Sequence, residues 1–179
     1  MRTTVYVGTS LDGFIAREDG DIDWLVKFQN KDVHDSYGEF IKRIDAIVTG
    51  RGTYEKVLSF PEWPYDKKVF VLSSSLKQIP DTLKEKVAIL SMEPKEVLSH
   101  LSNQGFSNIY VDGGKVIQSF LNEDLIDELI ITRVPVLIGT GIPLFGYVDN
   151  DLQFDHMQTD VYADGLIKSC YKRKRKTGQ

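Results

Sequence analysis

The segment Ile109-Tyr110-Val111-Asp112-Gly113-Gly114-Lys115-Val116-Ile117 joins a short apolar strand to an apolar-faced helix through a pair of glycines. Strands that alternate with helices build a largely parallel sheet with helices on both faces. Ligands bind such sheets at the carboxyl ends of the strands, where helix N-termini offer free N–H groups. The glycine pair would let a pyrophosphate touch backbone amides. A tight turn for packing stays an open alternative, because the spacing of the G-x-G-x-x-G fingerprint is absent.

The same alternation of strand and helix extends along most of the chain. Hydrophobic periodicity predicts strands at residues 3–9, 46–48, 69–72, 87–90 and 109–111. It predicts helices at 32–43, after 50, at 94–101 and after 114, with Asp32 capping the first of them. Two late segments, 129–136 and 152–171, are predicted strands, and the turn Ala163-Asp164-Gly165 makes the end of the sheet an antiparallel hairpin. The predicted fold class is therefore α/β, with a mostly parallel central sheet and an antiparallel C-terminal hairpin.

Two further strand ends carry residue types that bind anions. Thr49-Gly50-Arg51-Gly52-Thr53 offers glycines for close backbone approach and the donor fork of Arg51. Ser73-Ser74-Ser75 supplies hydroxyl donors at the next predicted strand end. A turn with a solvated arginine and a serine cap are the alternatives when each motif is taken alone. Three such ends in one small domain favour a phosphorylated dinucleotide, and Arg51 near serines favours a 2′-phosphate.

Composition limits the class of protein and its partners. The 179 residues fit one domain, and 22 Lys and Arg against 26 Asp and Glu give a net charge of −4. Five of the bases form the run 172–176, and without them 17 bases face 26 acids, a charge of −9. This balance disfavours a nucleic-acid or membrane-surface binder, and we expect residues 172–179 to form a basic, solvated tail.

Single residues add expectations about compartment and metals. Cys170 is the only cysteine, so a disulfide within the chain is impossible and a reducing, cytoplasmic location is expected. No apolar run reaches the roughly 18 residues that span a bilayer. His34, His100 and His156 lie far apart and show no metal-ligand spacing, so no metal is expected.

Motif order and spacing resemble the dihydrofolate-reductase-like superfamily and, within it, the RibD C-terminal reductase domain of riboflavin biosynthesis. The likeness covers residues 5–171 in a chain treated as one domain, 1–179. It implies the three-layer fold of that superfamily. It rests on Thr9-Ser10-Leu11-Asp12-Gly13-Phe14-Ile15-Ala16, Thr49-Gly50-Arg51-Gly52-Thr53-Tyr54, Val71-Leu72-Ser73-Ser74, Val111-Asp112-Gly113-Gly114, Leu125-Ile126-Asp127-Glu128-Leu129 and Val134-Pro135-Val136-Leu137-Ile138-Gly139-Thr140-Gly141.

The resemblance implies an NADPH-dependent reductase of a pyrimidine- or pteridine-type substrate, most similar to 5-amino-6-(5-phosphoribosylamino)uracil reductase. It places the adenosine phosphates at Gly50, Arg51, Gly52 and Thr53, with Ser73 and Ser74 near the 2′-phosphate. It places the pyrophosphate at Gly113, Gly114 and Lys115, and the nicotinamide at Gly8 and Ile15. It also implies that a homodimer is possible.

Three residues are candidates for contact with the reacting groups. Asp12 lies in the long loop after the first strand, although an Asp-Gly turn is an equally good interpretation. Trp24 could stack on a planar ring, or simply close the core. Thr132 faces the pocket in the family and could hydrogen-bond the substrate.

Alternative functions remain open at this point. Dihydrofolate reductases carry a carboxylate about five residues after the loop tryptophan, and this chain has Gln29 there, which disfavours folate reduction. A non-catalytic NADP-binding module is a second alternative, because no cluster for a ribityl phosphate is evident and Lys115 is the sole candidate. A nucleic-acid binder that works through the basic tail is a third.

Overall fold

The computed structural model describes residues 1–162 and 164–175 as ten strands and five helices. The helices are α1 (Asp23–Val26), α2 (Lys31–Lys42), α3 (Arg51–Leu58), α4 (Pro94–Asn103) and α5 (Gly114–Asn122). The strands are β1 (Arg2–Thr9), β2 (Phe14–Ala16), β3 (Ala46–Gly50), β4 (Lys68–Leu72), β5 (Val87–Leu90), β6 (Asn108–Asp112), β7 (Glu128–Arg133), β8 (Ile142–Pro143), β9 (Phe154–Val161) and β10 (Ile167–Arg173).

Eight strands form one sheet in the order β5-β4-β3-β6-β1-β7-β10-β9. The first six run parallel, whereas β10 pairs antiparallel with both β7 and β9. The predicted fold class, a mostly parallel sheet that ends in an antiparallel hairpin, is therefore confirmed. The short strands β2 and β8 pair separately.

Helices cover both faces of the sheet. On one face α4 and α5 pack against inward residues such as Val5, Val48 and Val111. On the other face α2 and α3 pack through Phe40 and Tyr54 against residues of the central strands that include Ile47 and Tyr110. The alternation of Ile109 and Val111 to one face and Tyr110 to the other is the two-residue period of a strand buried on both sides.

Three local expectations are wrong. Asn30, not Asp32, caps α2, because its side-chain oxygen accepts the Val33 N–H over 3.0 Å while Asp32 lies in the first turn. The loop after β1 contains β2 and α1, which are too short to give a periodic signal. Strand β7 ends at Arg133, three residues early, because Pro135 has no N–H for a ladder. Of the predicted hairpin turn, Ala163 lies outside the described residues.

Acidic residues at and just before the start of β7 form ion pairs with arginines, two of which belong to the basic run at the end of β10. Arg173, whose side chain is 9% exposed, donates from Nε to Asp124 Oδ1 over 2.6 Å. Arg175 pairs with Asp127, and Glu128 accepts from Arg43 over 3.1 Å. The expectation of a solvated tail is wrong for Arg173, whereas Arg175 stays exposed although it pairs with Asp127. Residues 176–179 lie outside the described part. None of the helices in the described ranges has the length and apolar character needed to cross a membrane.

Carboxylates close the amino edge of the sheet. Asp45 Oδ2, just before β3, accepts the N–H groups of Ser107 and Asn108 over 2.9 and 2.8 Å. Asp127 Oδ2 accepts the Thr3 N–H over 2.9 Å in the same manner. Burial opposes ionisation of Asp45, but its hydrogen bonds prevail and lower the pKa of the carboxyl. These carboxylates therefore fix strand ends that a parallel sheet leaves unpaired.

Asp45→Ala should lower the free energy of unfolding by about 1 kcal/mol, because two backbone donors lose a charged acceptor at an exposed site. Urea unfolding at neutral pH measures the loss. Asp45→Asn keeps one acceptor oxygen and should lose less. Equal stability of the alanine variant and the unchanged protein would show that the hydrogen bonds of Asp45 contribute nothing to the free energy of unfolding.

Candidate functional site

Two helices begin side by side at the carboxyl edge of the sheet. Gly113 has a φ of +89°, and a Cβ on it would lie 2.5 Å from Thr53 Oγ1 and 3.6 Å from the Gly50 nitrogen. Only glycine therefore fits where the turn before α5 meets the turn before α3. Neither helix has a side-chain cap, so their first N–H groups face this edge without a capping partner. The structure thus joins two of the three predicted anion-binding motifs.

The loop after β1 lies over the start of α5. A Cβ on Gly114 would lie 2.8 Å from Ile142 Cγ2 and 3.3 Å from Ile15 Cδ1. The β2–β8 pair, which carries these two isoleucines, is therefore packed directly on the glycine turn. Ile15 and Gly114, which the resemblance placed at neighbouring parts of one cofactor, are in contact. Lys115 is exposed on the first turn of α5.

Arg51 meets the third predicted motif at the end of β4. Its Nη1 donates to Ser75 Oγ over 3.0 Å, and Ser75 Oγ lies 3.4 Å from Ser73 Oγ. Ser75, the last residue of the Ser73-Ser74-Ser75 motif, is thus the serine that contacts Arg51. The placement of Ser73 and Ser74 near a 2′-phosphate stays a prediction. The Arg51 Nε donates to Glu55 Oε1 over 2.6 Å, so a carboxylate already holds part of the donor fork.

Asp12 ties two loops together. Its Oδ2 accepts the Gly139 and Ile138 N–H groups over 2.8 and 3.2 Å, and its Oδ1 accepts the Ser10 hydroxyl over 2.5 Å. The Ser10 hydrogen bond lowers the pKa of Asp12 most, with smaller contributions from the two backbone N–H groups. The carboxylate is therefore ionised at neutral pH and acts here as a clasp.

Gly8 and Thr132 lie beneath α1, the helix that carries Trp24 and Leu25. Gly8 and Thr132 are register partners on β1 and β7, and Thr132 is buried. A Cβ on Gly8 would lie 2.8 Å from Leu25 Cδ1, so the Leu25 side chain occupies the space above Gly8. Trp24 is 2% exposed, packs with Val134, and has a buried Nε1 without a partner among the described atoms.

Asp112 belongs to the glycine-turn motif, but the sequence analysis assigns it no role in the site. It follows the buried Tyr110 by two residues on β6, so both side chains point to the face that α2 and α3 cover. Burial raises the pKa of its carboxyl to about 6, even though the Gly113 N–H donates to Oδ1 over 2.8 Å. Its negative charge adds to burial in raising the pKa values of Tyr37, Tyr65 and Tyr110.

Buried polar atoms without partners occur beside this acid and elsewhere in the cluster that packs on the same face of the sheet. Thr49 on β3 is the register partner of Asp112 and is 2% exposed, and its Oγ1 makes no hydrogen bond within the described residues. The same holds for Trp63 Nε1 and the Tyr54 hydroxyl, whose rings are 6.1 Å apart. Trp63 in turn packs edge-on against Tyr65 at 5.4 Å. Buried polar atoms without partners are rare, and a bound ligand is one way to satisfy them.

The cluster of aromatic side chains formed by Tyr54, Trp63 and Tyr65 could be predicted only in part from the sequence. Trp63 lies between Pro61 and Pro64, and Tyr65 follows directly. In such a loop, hydrophobic periodicity does not show which way a side chain points. The sequence shows Asp112 directly before the glycine pair, but the burial of Asp112 depends on tertiary packing with α2. Among residues 1–162 and 164–175, no three His, Cys, Asp or Glu side chains are grouped so that they could hold a metal ion.

Comparison with known proteins shows the relationships of the chain. The family model of the RibD C-terminal domain matches residues 3–168. The uncharacterised protein YwjB of Bacillus subtilis (strain 168) is 40% identical, over 92% of this chain and 94% of its own length. A solved structure from Shewanella sp. PV-4, named for riboflavin biosynthesis, is 42% identical with a TM-score of 0.92, covering 98% of this chain and all of its own.

A more distant structure shares the fold. Dihydrofolate reductase from Enterococcus faecalis, complexed with NADP(H), is 17% identical with a TM-score of 0.69 and coverage of 97% of both chains. At that identity the likeness shows the fold alone. The family resemblance that the sequence motifs indicated is confirmed by the family match and by the Shewanella structure.

Gly113→Ala should lower the free energy of unfolding by roughly 1–3 kcal/mol, because the new methyl group meets Thr53 in a left-handed backbone conformation. Gly52→Ala is the matched control, since a Cβ there has nothing within 4 Å and lies in a helix. It should leave stability unchanged or raise it by up to about 1 kcal/mol. Urea unfolding of both variants measures the difference, and equal stabilities would contradict the proposed close approach.

Asp112→Asn should change how stability depends on pH. Because the pKa of Asp112 is raised to about 6, the folded protein binds a proton that the unfolded chain, with a pKa of about 3.9, has lost. The contribution of this residue to the free energy of unfolding therefore falls as pH rises from about 4 to about 6. At each pH we take the free energy of unfolding of the variant minus that of the unchanged protein. We expect this difference to be about 1–3 kcal/mol more positive at about pH 7.5 than at about pH 4. A difference that does not vary with pH in urea unfolding would show that Asp112 has an ordinary pKa.

Proposed function

Because the chain belongs to the RibD C-terminal domain family, we propose that it is an NADPH-dependent reductase of a pyrimidine- or pteridine-type ring compound. The observation that carries the proposal is the convergence of the two uncapped helix starts beside the Arg51–Ser75 pair at one edge of the sheet. The family and the Shewanella structure support an oxidoreductase role like that of riboflavin biosynthesis. Reduction of 5-amino-6-(5-phosphoribosylamino)uracil is the reference reaction for tests, and a cytoplasmic location stays a prediction.

The residues present fit a phosphorylated nicotinamide cofactor. The Gly113–Thr53 contact brings backbone N–H groups of two helices to one place, which suits a pyrophosphate. Arg51 with Ser73 and Ser75 offers a guanidinium and hydroxyls about where a 2′-phosphate would lie. Ile15, packed on Gly114, gives an apolar surface for the nicotinamide end. The cofactor would supply the hydride, and the chain must position the acceptor and supply a proton.

Asp112 is the better proton source of the two acids at this edge. Asp12 is held ionised by its hydrogen bonds, so it has no proton to give at neutral pH. Burial raises the pKa of Asp112 to about 6, which keeps a usable fraction protonated near neutrality. Asp112 is the last residue of β6 and is half-buried as a residue, so it lies at the edge of the sheet where the proposed ring would bind. We therefore assign the proton to Asp112 in the proposed reaction, in place of the predicted Asp12.

A non-catalytic NADP-binding module is the second candidate. The observation that favours it is the Leu25 side chain above Gly8, where a Cβ would meet Cδ1 at 2.8 Å. The resemblance places the nicotinamide at Gly8, so Leu25 must move before a ring can lie there. A module that never opens would bind the adenosine phosphates and transfer no hydride.

Arg51→Ala should weaken NADPH binding about tenfold or more, because a charge-assisted contact to the 2′-phosphate is lost. NADH lacks that phosphate, and its affinity should change less than about threefold. Calorimetric titration of both cofactors measures the two ratios. Equal losses for NADH and NADPH would place the 2′-phosphate elsewhere.

Glu55→Gln is the reciprocal variant and should tighten NADPH binding by about twofold to fivefold. It removes the carboxylate that now occupies the Arg51 Nε, and exposed ion pairs are worth up to about 1 kcal/mol. NADH binding should stay the same. Weaker NADPH binding in this variant would mean that Glu55 positions Arg51 rather than competing for it.

Catalysis is tested by NADPH consumption with aminopyrimidine and pterin substrates. Saturating NADPH should raise the melting temperature, and absorbance of the reduced cofactor should fall in the presence of an acceptor. No thermal stabilisation by NADPH would contradict the proposed function altogether. Stabilisation without consumption across these acceptors would select the non-catalytic module.

A further inference from the structure

We infer that two copies of this chain pack against each other through one face of the β9–β10 hairpin and the loop beside it. The contact surface, which we name the hairpin surface, consists of Phe145, Tyr147, Val161 and Ile167. The two copies run in opposite directions, so that the basic end of the surface on one copy meets the acidic end on the other. The inference concerns assembly and is independent of the proposed reductase activity.

One face of the hairpin is covered only near the amino edge of the sheet. There, Phe154 and Tyr171 pack against the same core as α4 and α5. Side chains alternate along a strand, so Ile167 points to the same face as Tyr171, and Val161 is the register partner of Ile167. Val161 is 72% exposed and Ile167 is 42% exposed. The described chain therefore leaves the carboxyl end of the hairpin open on this face.

The loop between β8 and β9 adds aromatic side chains to this face. Val148 and Leu152 of the loop pack against the core that Phe154 also joins, which places the loop on the same side of the sheet. Phe145 and Tyr147 from this loop are 52% and 80% exposed. Single exposed apolar side chains are ordinary on a protein surface, whereas several on one face mark a site that binds another molecule.

Positive charge lies at the carboxyl end of the hairpin surface. Arg133, the last residue of β7, is the register partner of Ile167 and shares its face with Ile131, which packs against the core. Lys115 is exposed on the first turn of α5 at the same edge. Neither cation forms an ion pair with another described residue. Asp12, the acid of the loop above, is already engaged by the Gly139 and Ile138 N–H groups.

Negative charge lies at the amino end. The Asp149 N–H donates to Oδ1 of Asn122, the last residue of α5, over 3.2 Å, and Asp151 follows two residues later. Both acids are exposed, and neither forms an ion pair within residues 1–162 and 164–175. The neighbouring cations pair with other acids: Lys95 with Glu123, Arg173 with Asp124 and Lys174 with Asp155.

This distribution of charge makes the surface complementary to itself. A two-fold axis brings the same patch of two copies together, so every contact occurs twice. With the copies antiparallel, Arg133 faces Asp149 of the partner subunit on each side of the apolar side chains. An apolar centre with a polar, charged rim is the usual anatomy of a protein interface. A parallel arrangement brings like charges together and is disfavoured.

Packing between faces, rather than pairing between edge strands, fits the shape of β9. This strand is the outermost of the sheet. Its register with β10 shifts between Cys170 and Tyr171, which leaves Met157 without a partner and marks a bulge. Asp155 and Asp160 in the same strand are held in ion pairs with lysines. Bulges and charged residues protect an edge strand from pairing with another strand, so the exposed face is the part of the hairpin that is free to bind.

Sedimentation velocity at micromolar protein concentration tests the assembly. The unchanged protein should sediment with twice the mass of one chain. Val161→Lys should raise the dissociation constant of the dimer at least about tenfold, because a charge enters the apolar centre. Met92→Lys places the same charge on an exposed apolar residue after β5, near the opposite side of the sheet, and should leave the constant unchanged. A monomer at all concentrations, or equal dimers in the Val161→Lys variant and the unchanged protein, would overturn the inference.

Charge reversal tests the antiparallel arrangement. Arg133→Glu alone, and the double variant Asp149→Lys with Asp151→Lys, should each weaken the dimer about tenfold or more at low salt, because like charges then face each other. The three substitutions combined should restore the dissociation constant to within about threefold of the original. Lys172→Glu changes a charge on the other face of β10 and is the matched control. A combined variant that stays as weak as the single reversals would refute the pairing of the two charged ends.

Discussion

The close approach of Gly113 to Thr53 is the contact on which the rest of the site depends. A methyl group at Gly113 would lie 2.5 Å from the Thr53 hydroxyl, so two helix starts can meet there only because one residue has no side chain. Strand order makes the meeting possible, since β6 returns between β1 and β3 after the chain has built β4 and β5. The place where the order reverses is where open parallel sheets bind ligands.

The amino edge of the sheet carries stabilising contacts, whereas the carboxyl edge carries the candidate binding site. At the amino edge, carboxylates such as Asp45 and Asp127 satisfy backbone N–H groups, and arginines satisfy the remaining acids. At the carboxyl edge, helix starts lack side-chain caps and Thr49 keeps a buried hydroxyl without a partner in the described chain. Polar groups that are left unsatisfied reduce stability, and they are tolerated where a ligand uses them.

Local signals predicted most of the architecture. Glycine turns after apolar strands indicated β3–α3 and β6–α5, and the alternation of strands and helices gave the parallel sheet. The same signals placed Arg51 near the serines after β4, but they could not show which of these serines contacts it. That choice depends on how the chain turns after β4, where Ser73 Oγ accepts the Leu76 N–H over 2.9 Å. Asp112 was missed as a site residue because its environment comes from α2 and the loop around Trp63, which are remote in sequence.

The Asp12 clasp joins chain segments that are 126 and 127 residues apart. Together with the β2–β8 pair, it makes the loop after β1 and the segment after β7 one flap over the start of α5. The Leu144 N–H donates to the Gly13 carbonyl within the same flap. We expect the amides of Gly139 and Leu144 to exchange their hydrogens together, as one cooperative unit. Because these contacts hold the two loops to each other, we expect them to open together when a ligand enters above the glycine turn.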